Sequence, residues 1–228
     1  VFDLTSSFLN EFHPSHNRKK VSDYNTYYLG PFVVSVKDGQ RSIIDGQQRL
    51  TSLTLLLIYL NHLQKEYGMS EKIETLVFSE KYGEKSFNIQ VDERTKCLKE
   101  LYKNGFYKPN EDDDESTINM AERYLDIVKN FPEEIKTDAL PYFIDWLKYN
   151  VMLVEIIAYS DENAYTIFET MNDRGLNLSP TEMLKGFLLS RFNDRVKRHK
   201  ANEFWRKAMQ ELHDFDKDED LRFFQAWL

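Results

Sequence analysis

Residues 41 to 60, RSIIDGQQRLTSLTLLLIYL, change hydrophobic period halfway along, and this change constrains the fold more than any other feature of the chain. Upstream, YYLGPFVVSV and RSIID are β-rich runs joined by KDGQ, and an Asp38-Gly39 pair at the centre of such a turn is a strong hairpin signal. Downstream, Leu53, Leu56, Leu57, Leu60 and Leu63 recur with helical spacing, and Gly68 stands where a C-terminal cap belongs. A strand therefore runs into a long helix through one turn, with Asp45 at the strand end and Gln47, Gln48 and Arg49 on the first helical turn.

The remaining pattern is mostly helical. VFDLTSSFLNEF reads as a short helix stopped by Pro14, and ERTKCLKELY, INMAERYLDIVKNF and ALPYFIDWLKYN as further helices. SFNIQVD alternates Phe87, Ile89 and Val91 as a half-buried strand does, and VMLVEIIAY reads as a buried strand near 151–159. The acidic run NEDDDEST reads as a solvated loop. Near the end, Ala164, Ile167, Phe168 and Met171 lie on one helical face, Gly175 suits a left-handed stop, and Ser179-Pro180-Thr181-Glu182 forms a capping box. The predicted class is α+β, predominantly helical, with a small β-sheet. One continuous domain over 1–228 is expected, a hairpin-containing core in 1–95 followed by a mainly helical part in 96–228.

Composition narrows the function. At 228 residues, with 41% apolar and 30% charged residues, the chain can bury a large core and is neither fibrous nor disordered. An aromatic share of 14% suits that core and also offers rings for stacking on a base. A net charge of −8 argues against coating nucleic acid along the whole surface, which takes a basic face. Cys97 is the single cysteine, so no internal disulfide or cysteine-based zinc site can form, and a reducing cytoplasm is the expected compartment. The longest apolar stretch, Leu55 to Leu60, falls far short of the roughly 20 residues of a membrane span. A chain starting at Val1 reads as a piece of a longer one.

A helix begins with unpaired backbone N–H groups and a partial positive charge, which suit phosphate. Gly46 permits a tight turn and close approach of a ligand, Arg49 adds a planar fork of donors, and the amides of Gln47 and Gln48 add neutral ones. Asp45 can hold a magnesium ion or position a water. The plain alternative is that Asp45 caps the helix, Gly46 turns the chain, and Gln-Gln-Arg is an exposed first turn. The residues by themselves leave both readings open. No GxxxxGK[ST] loop, GxGxxG fingerprint, HExxH helix or GxSxG elbow occurs. Cys97 reads as a small buried residue, and the basic runs NRKK (17–20) and RVKRHK (195–200) read as solvated faces, with DNA phosphates as the alternative partner.

IIDGQQRLTSLTLLL, preceded by YYLGPFVVSV and followed far downstream by FETMNDRGLNLSPTEMLKGFLL, resembles the DGQQR-motif domain at the N-terminus of GmrSD-type restriction endonucleases and of related phage-defence proteins such as BrxU and SspE. The resemblance spans about Tyr27 to Phe192. It implies a ParB-like or sulfiredoxin-like core with helical additions, binding and hydrolysis of GTP or ATP with Mg2+ at the motif, and DNA cleavage by a separate HNH nuclease domain or subunit. Carried over, the motif falls on Asp45, Gly46, Gln47, Gln48 and Arg49, and a second motif on Phe168, Glu169, Asn172, Arg174 and Gly175. Asn172 and Arg174 are expected to reach the same cleft, with Phe168 in the core. Two departures follow. The family's upstream Tyr-Gln-Arg-like segment has no counterpart here, so this stretch alone is expected to bind nucleotide weakly. His13, His16, His62, His199 and His213 form no HNH motif, so this chain is not expected to cut DNA. The leading expectation is a nucleotide-hydrolysing regulatory module of a restriction or defence protein. The alternative is a ParB-like DNA- or protein-binding module without turnover.

Overall fold

The computed structural model describes residues 1–37, 39–69, 71–89, 94–110, 112–172, 184–185, 188–189, 192, 195–213, 215 and 222–223. They divide into two compact units, Val1–Gly30 with Gly46–Val154, and Pro31–Asp45 with Glu155–Leu228. The secondary structure is α+β, with one three-stranded and one two-stranded sheet among mostly helical elements.

In the first unit, α1 (Phe2–Glu11) puts Leu4 and Phe8 on one face and stops before His13-Pro14. Helix α2 (Gln47–Glu66) is the centre of the core. Leu55, Leu56, Leu57, Ile58, Tyr59 and Leu60 are all buried, so this helix is covered all round rather than on one face. Its partners are α3 (Glu74–Val77), α4 (Thr95–Asn104) and α5 (Glu115–Asn130), the last contributing Met120, Ala121, Tyr124 and Ile127. Helix α6 (Glu133–Lys136) leads into α7 (Leu140–Tyr149). There Phe143 meets the Phe8 ring at 5.2 Å and the Phe131 ring at 5.7 Å, and the Trp146 indole donates to the Asn25 carbonyl at 3.1 Å. Many of the aromatics thus build core.

Three local readings need correction. In SFNIQVD the strand stops at Phe87 and the chain bends at Asn88 and Ile89, while the expected strand position Val91 lies outside the described residues. Strand β4 (Glu84–Phe87) ends at Phe87 and pairs antiparallel with β3 (Phe78–Lys81), through a turn in which Tyr82 and Gly83 both have positive φ, 55° and 81°. Those are the signs of a type I′ hairpin turn, with tyrosine where Asn or Gly is usual. The acidic run is not merely solvated: Asp113 accepts from the Tyr107 hydroxyl at 2.8 Å and the Asn110 N–H at 2.8 Å, and Asp114 caps α5 by accepting from the Thr117 N–H at 2.8 Å. Strand β5 (Val151–Ala158) is not buried, because it is an edge of its sheet: Met152, Val154 and Ile157 are exposed and Ala158 alone is fully covered.

In the second unit, β1 (Tyr27–Lys37, from Pro31 on) pairs with β2 (Gln40–Asp45) as the predicted hairpin, in the sheet order β2-β1-β5. Val33, Ala158 and Ala164 form its small core with Ile44, Ile156 and Ile167, the last two alanine and isoleucine positions coming from α8 (Asp161–Asn172) and β5. Arg41 of β2 donates to Glu155 of β5. A further helix spans Arg195–His213.

Candidate functional site

The pairing of β1 and β2 steps from Val33↔Asp45 to Val34↔Ile43, which leaves Ile44 as the extra residue of a bulge immediately before the motif. Asp45 closes the strand, half-buried. Gly46 then takes the N-cap position of α2 with φ 85° and ψ 7°, a left-handed conformation that a side chain disfavours. The first intrahelical bond runs from the Leu50 N–H to the Gly46 carbonyl at 2.9 Å, so the N–H groups of the first turn precede the helix's own ladder. The N-cap position thus falls on Gly46, the turning residue, one place after Asp45. Gln47 and Gln48 are exposed and Arg49 half-buried, just ahead of the part of α2 that is covered on all sides.

Gln48 and Arg49 face different surroundings, as residues about 100° apart around a helix must. Arg49 lays its guanidinium against the backbone of Gly30, which has φ 108°; a Cβ added there would stand 3.2 Å from Cζ and 3.4 Å from Nε and Nη2. Sequence reasoning missed Gly30. The available signal was a Gly-Pro pair inside a β run, which marks an irregular strand or a close approach.

Gln48 instead shares a face of α2 with Thr51, Ser52 and Leu55, and these line an open cavity of about 900 Å³ whose far wall is α5. Polar groups from several elements meet there, among them Asn119, Arg123 and Arg94. Arg94 is held by a relay: its Nε donates to Ser116 Oγ at 3.0 Å, and that hydroxyl donates to the α5 cap Asp114 at 2.9 Å.

Residues 3–189 match the family described as GmrSD restriction endonuclease, N-terminal domain. The chain belongs to this family. A comparison with curated proteins gave no match. In this GmrSD N-terminal domain the family resemblance read from DGQQR and NDRGLNLSPTEM is upheld over most of the chain.

The second motif begins on α8, where Ala164 is buried, Ile167 packs into the small core, and Phe168 is half-buried at 6.0 Å from the Tyr165 ring. The side chains of Glu169 and Asn172, and Arg174 and Gly175 altogether, lie outside the described residues, as does the capping box at 179–182. The expected approach of Asn172 and Arg174 to the DGQQR turn falls there with them.

Elsewhere in the GmrSD domain the candidate chemistry resolves into structure. Cys97 is fully buried, and burial pushes its thiol up to about 12, so it stays protonated. Within NRKK, Arg18 donates to Asp145 and, at 2.7 Å, to Glu71, and those carboxylates raise its pKa further. Lys20 pairs with Asp23 at 3.1 Å. Among the described residues no group of three or more His, Cys, Asp or Glu side chains is placed to hold a metal, and no helix is long and apolar enough to cross a membrane.

Proposed function

We propose that this GmrSD N-terminal domain binds a nucleoside triphosphate, GTP or ATP, at the first turn of α2 and hydrolyses it, as the regulatory module of a restriction endonuclease whose DNA cleavage lies with a nuclease part. The observation that carries this reading is the glycine-led start of α2, with Arg49 in its first turn and Gln48 at the rim of a cavity. Backbone N–H groups and the helix dipole favour phosphate there, and an arginine fork adds charge-assisted bonds of roughly 1.5 to 3 kcal/mol each. The cavity of about 900 Å³ that Gln48 borders lies within the range of small-molecule sites, and it carries hydroxyl, amide and guanidinium groups together with the carboxylates of Glu122 and Asp126.

Hydrolysis adds water to the γ-phosphorus and breaks the bond to the bridging oxygen, releasing nucleoside diphosphate and phosphate, and its barrier falls chiefly through positioning and charge stabilisation. Arg49 would hold phosphate oxygens as negative charge shifts. Gln47 and Gln48 would orient oxygens through their amides. Asp45 would hold Mg2+ or the attacking water. A nucleotide-bound magnesium ion draws only one or two carboxylates from a protein and takes its other oxygens from phosphates and water, so a single carboxylate fits. Bound there, it would neutralise phosphate charge.

The test is calorimetric titration with GTP and ATP in magnesium, together with phosphate release, on wild type, Arg49→Ala and Asp45→Ala, with thermal melts as the folding control. Arg49→Ala is expected to weaken binding by about tenfold or more. Asp45→Ala is expected to lower turnover by about a hundredfold or more while binding survives in part. Equal binding and turnover in all three proteins would refute the proposal. Salt-sensitive DNA binding by wild type without phosphate release would favour a DNA-binding module instead.

A further inference from the structure

Among the described residues six glycines have positive φ: Gly46 leads into α2, and the other five differ in what surrounds the place of the missing side chain. At Gly39, Gly68 and Gly83 that space is open, and at Gly105 the His62 ring stands at an ordinary 3.7 Å. At Gly30 it is taken by the Arg49 guanidinium, three of whose atoms lie within 3.4 Å. Backbone geometry explains a glycine at the first three positions. At Gly30 there is a second reason, since even a side chain that tolerated φ 108° would have to displace a charged group.

We propose that Gly30 is a positioning residue for Arg49: its bare backbone is the bed on which the guanidinium lies flat, fixing the side chain in one orientation before a ligand arrives. This rests on the nucleotide reading of the DGQQR turn and adds a residue to it. The physical gain is preorganisation. A free arginine loses considerable rotamer entropy when it docks on a phosphate, whereas one already held in place loses less. Half-burial of Arg49 at the α2 terminus also holds it in lower dielectric, where its attraction for a phosphate is stronger. The planar fork is needed for this, because a lysine ammonium has no flat face to lay on a peptide backbone.

The experiment is a double-mutant cycle between Gly30→Ala and Arg49→Ala, with Gly39→Ala as the control for a positive-φ glycine in open space. Affinity for GTP and ATP in magnesium is read by calorimetry, and melting temperature is read without nucleotide. Gly30→Ala is expected to weaken binding by about fivefold or more and to do almost nothing further in the Arg49→Ala background, since the side chain it displaces is gone. Gly39→Ala is expected to change affinity by less than about twofold. In the melts, Arg49→Ala should restore part of the temperature lost to Gly30→Ala by vacating the space. Arg49→Lys in the otherwise native chain is expected to lose most of the affinity, which gives a readout that does not depend on Gly30→Ala folding.

If Arg49→Ala weakens binding but Gly30→Ala does not, or if the two effects simply add, the positioning role is overturned while nucleotide binding stands. If Arg49→Lys binds as wild type does, the role of the flat bed is overturned. If wild type binds neither nucleotide, the nucleotide reading falls and takes this proposal with it.

Discussion

Asp114 joins helix stability to the cavity wall, and replacing it separates the two contributions. Its carboxylate accepts from the Thr117 N–H at 2.8 Å and from the Ser116 hydroxyl at 2.9 Å, and Ser116 in turn accepts from Arg94 at 3.0 Å. Losing the cap in Asp114→Ala is worth about 1 kcal/mol, and losing the hydroxyl bond about 1 kcal/mol more, so ~2 kcal/mol in all. For a chain of this size that amounts to a fall in melting temperature of about 4 to 8 °C, provided the affected unit melts in one transition. Asp114→Asn keeps an oxygen acceptor and is itself a good cap, so it should lose no more than about 1 kcal/mol, mainly the charge beside the helix dipole. Asp112, exposed two residues earlier, is the control, and Asp112→Ala should stay within about 0.5 kcal/mol of wild type. Thermal melts by far-ultraviolet circular dichroism read all three. If Asp114→Ala melts with Asp112→Ala, the acidic run is a solvated loop after all. If Asp114→Asn is as damaging as Asp114→Ala, the loss comes from charge rather than from the cap geometry.

Two further outcomes follow from local geometry and proton linkage. Tyr82 is 95% exposed and sits at φ 55° in the β3–β4 turn, so Tyr82→Asn should raise stability by about 1 kcal/mol or less, and an unchanged or lower melting temperature would contradict the turn assignment. Burial pushes Cys97, Tyr107 and Tyr124 up to about 12, above their values in an unfolded chain. Between those limits the folded state holds protons that the unfolded state has released, so stability should fall as pH rises from about 9 to 12, and a thiol reagent should reach Cys97 only on unfolding. A flat melting temperature over that range, or rapid labelling of the native protein, would contradict the burial.

Local signals determined a large part of this protein from its sequence. The hairpin around Gly39, the turn at Gly46, the start of α2 at Gln47 and the helices α1, α4, α5 and α7 all follow from short-range turn chemistry and hydrophobic period, which act within a few residues. The family was legible too, because two motifs stood at the right separation.

What the sequence left open were the sides and ends of those elements. A period of 3.6 marks an apolar face but does not say that α2 is covered all round; that took α3, α4 and α5 packing on it. An apolar run reads alike for a buried strand and for β5 at a sheet edge, since burial depends on what lies next to the strand in space. The cap at Asp114 was hidden inside an acidic run whose composition suggested only solvation. Gly30 was the least legible of all, because its partner Arg49 lies nineteen residues away and no spacing rule joins a strand glycine to a helix arginine. A glycine in a strand announces that a close approach can occur there, and only the folded backbone decides which side chain makes it.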